Sequence, residues 1–229
     1  HIGSQIYTNE NVNNISKKNN EYIIKTSKRI LKSNTIILAS GAFGKSYIPP
    51  INTELSNEIL QLHSAQYKNP SQLPEGGVLV VGSGQSGAQI AEELLENGKK
   101  TWLAVSKCGR RPRRYRGKDS SWWNYEMGSF NKTVENTPFE QRWTCSPHTS
   151  GSRGGHDINL IDLEEKGLTL CGTVKKCDSN KILFNNNLFE NLNFSDQHAI
   201  NWAKKVDQYI NANNLKIPNA TIIKDLRIS

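Results

Sequence analysis

The stretch Val78-Leu-Val-Val-Gly-Ser-Gly-Gln-Ser-Gly-Ala-Gln-Ile-Ala91 constrains this chain more than any other. Val78 to Val81 is a short continuous apolar run, the pattern of a strand buried on both faces. Three glycines follow at Gly82, Gly84 and Gly87. That Gly-x-Gly-x-x-Gly spacing is weak alone and becomes informative only between a strand and a helix. The helix is expected from Gln85 to Asn97, where Ala88, Ala91, Leu94 and Leu95 share one face. Gly98 is the stop signal, and Thr101-Trp-Leu-Ala-Val105 is a second strand. A β-α-β unit this short requires parallel strands and a crossover.

The fold class that follows is α/β, a Rossmann-like dinucleotide-binding domain with a parallel sheet. Each glycine has a physical task in such a turn. Gly82 allows the sharp bend, Gly84 lets a pyrophosphate approach the backbone, and Gly87 lets helix and strand pack closely. The helix N-terminus offers unpaired N–H groups and a partial positive charge to phosphate. Gly82, Ser83, Gly84, Gln85, Ser86 and Gly87 are therefore the candidate pyrophosphate site. A Gly-rich turn serving only packing is the alternative.

Charge selects among dinucleotides. NAD- and FAD-binding units place an acid at the end of the second strand, about 20 residues on, for the ribose hydroxyls. No acid occurs between Glu96 and Asp119; Ser106, Lys107, Arg110 and Arg111 stand there instead. A hydroxyl and guanidinium groups attract the 2′-phosphate that a carboxylate repels. NADP(H) is accordingly favoured over NAD(H).

The formal charge of +8 comes from 29 Lys+Arg against 21 Asp+Glu. Seven of those cations lie between Lys107 and Lys118; without them the balance is 22 against 21. Three readings of this loop stay open: a 2′-phosphate site, an acid-paired structural loop, and a nucleic-acid surface. Nucleic acid is disfavoured because backbone binding spreads charge over a face, and the remainder of the chain is nearly neutral.

Other motifs are weaker. Ala39-Ser-Gly-Ala-Phe-Gly-Lys-Ser46 lacks the first glycine of a P-loop, and Pro49-Pro50 hinders the helix that must follow. Cys108, Cys145, Cys171 and Cys177 form no Cys-x-x-Cys, so free thiols in a cytoplasmic protein are expected, with no metal. His148 and His156-Asp157 lie in a Gly-rich stretch without metal-ligand spacing. No run is long enough to span a bilayer, so no membrane partner is expected, and residues 1–20 do not resemble a signal peptide.

Elsewhere, Tyr22–Thr26 and Arg29–Ser33 read as a hairpin, and Thr35–Ala39 as a strand buried on both faces. A short helix is expected over 160–166, strands over 168–171 and 181–184, and a possible last strand at Thr221–Ile223. The polar and aromatic stretch from Trp122 to Trp143 has no clear element. A helix is expected over 196–213, capped by Ser195. Trp122, Trp123 and Tyr115 are candidates for stacking on adenine, with packing the favoured reading.

Several segments together resemble the flavin-containing monooxygenases and their bacterial FAD- and NADP-linked relatives. These are Ile37-Leu-Ala-Ser-Gly41 with Pro49-Pro50, Leu62-His-Ser-Ala-Gln-Tyr-Lys68, Val80 to Ala91, Gly109 to Asp119, and Gly154-Gly-His-Asp157. The resemblance implies NADP(H) held by this chain, FAD in the full-length protein, and hydride passing from one to the other. Reduced flavin then reacts with O₂ to oxygenate a substrate, here an unknown small molecule. His63 would lie in the linker near the cofactors. Two fingerprint positions before it, a Phe and a Gly in the family, are Asn57 and Ile59 here.

Family members begin with another Gly-x-Gly-x-x-Gly unit, for FAD, and residues 1–60 contain none. The chain therefore reads as residues 1–70, a β-rich FAD-domain remnant and linker; 71–190, the NADP-binding domain; and 191–229, a C-terminal helix and return segment. Missing FAD-domain segments or a second copy of the chain are the expected partners. The alternatives are a non-catalytic NADP-binding or sensor module, and a nucleic-acid binder through residues 107–118.

Overall fold

The computed structural model describes residues 6–41, 46–141 and 145–219. The last half of the near P-loop, Trp143 and Thr221–Ile223 lie wholly or partly outside those residues. The chain divides into two compact units, His1–Ser46 and Tyr47–Ser229, so residues 47–70 pack with the second.

The first unit is a three-stranded antiparallel meander of β1 (Val12–Lys18), β2 (Glu21–Thr26) and β3 (Ile30–Ser33). The expected hairpin is its second half, with Ile24 opposite both Ile15 and Leu31. β1 gave no sequence signal because Asn and Lys occupy most of it, and every one of its residues is exposed. Thr35–Ala39 is not the buried strand its apolar run suggests. It pairs with no strand among the described residues, and Ile37 and Leu38 are 86% and 78% exposed.

The second unit holds the parallel sheet. β4 (Val78–Val81) is followed by α1 (Gln85–Glu96) and β5 (Thr101–Ala104), as the glycine spacing requires. β5 then pairs in parallel with β8 (Thr169–Cys171). Between them run a two-residue ribbon, β6 (Arg114–Tyr115) with β7 (Lys118–Asp119), then α2 (Ser120–Glu126) and α3 (Leu160–Glu165). An antiparallel pair, β9 (Val174–Asp178) and β10 (Lys181–Phe184), leads to α4 (Leu188–Ala212).

Two cores explain this arrangement. Ala88 and Ala91 of α1, Leu103 of β5, Leu163 of α3, Leu170 of β8 and Leu192 of α4 form the first. The small residues on α1 let it lie close to the sheet. The second joins Tyr115, Trp123 of α2, and Trp202, Val206 and Ile210 of α4. There Trp123 Nε1 donates to the Tyr115 carbonyl at 2.8 Å and Trp202 Nε1 to Asn124 at 2.9 Å. Trp123 and Tyr115 are thus packing residues, fully or nearly buried.

α4 starts at Leu188, not at Asp196. Ser195 is therefore no cap; it lies buried inside the helix. The reason is Asn191, whose Nδ2 donates to the Val105 carbonyl at 2.8 Å and fixes the first turns against the end of β5. No helix among the described residues is long and apolar enough to cross a membrane.

Candidate functional site

The glycine-rich turn leaves β4 at its C-terminal end, where open parallel sheets receive ligands. Gly82 has φ +95°, a conformation that L side chains avoid. A Cβ on Gly87 would run into the carbonyl oxygen of Gly82, so helix and turn touch only because that Cβ is missing. A Cβ on Gly84 would meet nothing within 4 Å. Gly84 is also the N-cap of α1 and gives it no side-chain cap. No side chain from the N-cap takes up the first-turn amides of Gln85 and Ser86.

Ser83 is fully buried and fastens the turn to the end of β5. Its Oγ accepts from the Ser106 amide at 2.9 Å and donates to the Ser106 carbonyl at 3.1 Å. The turn and the first candidate for the 2′-phosphate are thereby brought together.

The seven cations from Lys107 to Lys118 each meet an acid, a carbonyl or an aromatic ring among the described residues. Lys107 pairs with Glu190 at 2.5 Å, both well exposed. Arg110 pairs with Asp196 at 2.6 Å, and Arg116 with Asp207 at 2.7 Å. Arg113 pairs with Asp119 at 2.9 Å. Arg114 donates to the carbonyls of Gly154 and Gly155, and the Arg113 amide to Asp157. Arg111 lies over the Trp202 ring, 5.7 Å from its centroid, and Lys118 over Trp122 at 5.1 Å. Burial lowers the Arg111 pKa, with Asp119 opposing the shift. The acids Glu190, Asp196 and Asp207 all come from α4, more than 80 residues after the loop begins. Nothing in the local sequence signals that pairing.

A second segment braces the turn from outside. His148 is buried, its Nε2 against the Ser83 carbonyl, and its amide donates to the Gly109 carbonyl at 3.0 Å. The next carbonyl, of Thr149, accepts from Gln85 Nε2 at 2.9 Å and Gln89 Nε2 at 3.2 Å. Farther along, Arg153 pairs with Glu96 at 2.7 Å and His156 Nε2 meets Glu92 at 2.9 Å. Residues 148–156 are therefore strapped along α1.

On that flank lies a cavity of about 640 Å³, bounded by Ser64, Tyr67, Ser86, Gln89 and Arg153 among others. Tyr67 holds the linker to α1 by donating to Glu93 at 2.8 Å. Burial and that carboxylate raise the Tyr67 pKa. His63 is outside the lining, in a turn where its Nδ1 accepts from the Ala65 amide at 3.1 Å. Its neighbour Ser64 lines the same cavity as Ser86 of the turn.

Residues 1–137 match the pyridine nucleotide-disulphide oxidoreductase family. The chain belongs to that family. Two bacterial relatives carry oxidoreductase names. An uncharacterized CzcO-like oxidoreductase of Geobacillus kaustophilus is 38% identical over 133 residues, covering 58% of this chain and 38% of that protein. The uncharacterized oxidoreductase CzcO of Bacillus subtilis is 42% identical over 115 residues, 50% of this chain and 33% of that protein. The matched part of this family member thus spans 38% and 33% of these two relatives' lengths.

Proposed function

We propose that this chain is the NADP(H)-binding portion of a cytoplasmic flavin-dependent oxidoreductase, monooxygenase-like, that passes hydride from NADPH to FAD. The reading is carried by the turn: Gly82 bent at φ +95°, Gly84 open on its outer side, and Gly87 against Gly82. The pyrophosphate would sit on the amides of Gly84, Gln85 and Ser86, opposite the positive end of α1. Ser106 and Lys107 would take the 2′-phosphate. The Lys107–Glu190 pair is exposed and worth little, so exchanging that carboxylate for a phosphate costs little. Arg110 and Arg111 add positive potential behind them while keeping their present contacts. His63 would lie toward the nicotinamide end, beside the Ser64–Tyr67 cavity.

FAD supplies the hydride acceptor when bound; the residues assigned here serve the nicotinamide nucleotide alone. The engagement of the loop cations by α4, Asp119 and the Gly154–Gly155 carbonyls speaks against a nucleic-acid surface.

The test is to add FAD and NADPH to the purified chain and follow NADPH absorbance and oxygen uptake. A yellow protein that consumes NADPH is an enzyme in its own right. A colourless one that binds NADPH is the nucleotide-binding portion alone, and one that binds neither contradicts the reading.

A further inference from the structure

The Ser83–Gly84 peptide is the part of the turn with most freedom to go wrong. Carbonyl and N–H point to opposite sides of a trans peptide. With the Ser83 carbonyl turned inward on His148, the Gly84 N–H points the opposite way, and a Cβ on the same glycine would meet nothing within 4 Å. Were the peptide turned over, a carbonyl oxygen would face an incoming phosphate instead. Glycine tolerates both φ signs, so the backbone at Gly84 does not itself forbid the flip.

His148 decides between the two. Its Nε2 lies against the Ser83 carbonyl, which can only accept, so Nε2 carries the proton. The ring is 1% exposed, and its Nδ1 is buried with no hydrogen-bond partner among the described residues. A ring held at that expense for one hydrogen bond is held for the bond's sake. The ring's own place is fixed on both sides: its amide donates to Gly109, and the Thr149 carbonyl is gripped by Gln85 and Gln89. Ser83 Oγ, tied to Ser106, fixes the other end of the same residue.

We propose that His148 is a positioning residue of the nucleotide site: by holding the Ser83 carbonyl inward it presents the Gly84 N–H to the pyrophosphate of the bound dinucleotide. The inference rests on the nucleotide-binding reading of the turn, and it adds a residue 65 positions away from the glycine motif.

The experiment compares wild type, His148→Phe and His148→Gln. Gln keeps an N–H donor at similar reach, whereas Phe keeps the volume and removes the donor. Loss of one preorganised donor predicts about tenfold weaker NADPH binding in His148→Phe. Adenosine 2′-monophosphate, which has no pyrophosphate, should bind both proteins equally, and His148→Gln should stay within about threefold of wild type. Equal loss of both ligands in a folded His148→Phe, or no loss of either, overturns the proposal. If His148→Phe does not fold, the amide resonance of Gly84 in wild type decides. Inorganic pyrophosphate should shift it, and an unmoved resonance overturns the role. A wild-type chain that ignores NADPH yet shows that shift overturns the nucleotide reading and leaves His148 as a positioning residue of a pyrophosphate-binding turn.

Discussion

Arg110 and Asp196 meet at 2.6 Å with their side chains only 12% and 10% exposed, joining the loop after β5 to the middle of α4. Three positions earlier, Lys107 and Glu190 meet at 2.5 Å with side chains 56% and 63% exposed. Similar distances here mean different things, because water screens the second pair and hardly reaches the first.

Removing one partner of a buried pair leaves the other charge stranded. Asp196→Asn is expected to cost about 3–5 kcal/mol of stability. Glu190→Gln should cost under about 1 kcal/mol. Urea unfolding midpoints check both, and equal small shifts would mean that the Arg110 pair carries no structural weight.

The three glycines separate by what each Cβ would meet. Gly87→Ala drives a methyl into the Gly82 carbonyl, so the protein should unfold at lower denaturant and lose NADPH binding together. Gly84→Ala meets no atom of the protein. It should cost about 1 kcal/mol or less, the scale of a changed N-cap, yet abolish NADPH binding because the methyl fills the phosphate space. Circular dichroism melts beside a fluorescence titration would show whether stability and binding part company.

This division marks what was legible in the sequence. The β4–α1–β5 unit follows from local patterns: an apolar run, three glycines, an apolar stripe and a stop. α4 begins earlier than its periodicity indicates because Asn191, polar and loop-like by composition, is held to the sequence-distant Val105 carbonyl. The exposed run at 35–39 misled because apolarity records a capacity to be buried, not a partner. His148, weighed in the sequence only as a metal ligand, and Glu190 and Asp196 act on Ser83, Lys107 and Arg110 across 65 or more positions, with no periodicity to connect them.

His148 also gives a pH signature. Burial lowers its pKa, the Ser83 carbonyl opposes this, and nearby Arg110 lowers it further. In the window below its unfolded value of about 6.5, the unfolded chain takes a proton that the folded chain refuses. Stability is thus fully present above that value and is lost as pH falls, by at most about 1.4 kcal/mol per pH unit. Denaturant melts from neutral to mildly acidic pH should show a steeper decline for wild type than for His148→Gln. The His156–Glu92 contact is common to both proteins and drops out of the difference. Parallel pH curves would contradict a neutral, buried ring.

Selectivity for the 2′-phosphate should reside in Lys107. Lys107→Ala is expected to weaken NADPH about tenfold, the scale of one charge-assisted contact at an exposed site. NADH, which lacks that phosphate, should bind as before. Equal weakening of both nucleotides would place Lys107 elsewhere on the cofactor, or off it.

In the proposed function the turn from Gly82 to Gly87 receives the pyrophosphate of NADP(H). The most direct test is a calorimetric titration of the purified chain with NADPH, repeated on Gly84→Ala. Saturable binding at one nucleotide per chain is expected for wild type and none for the folded variant. Binding that survives Gly84→Ala unchanged, or no binding to wild type, would contradict it.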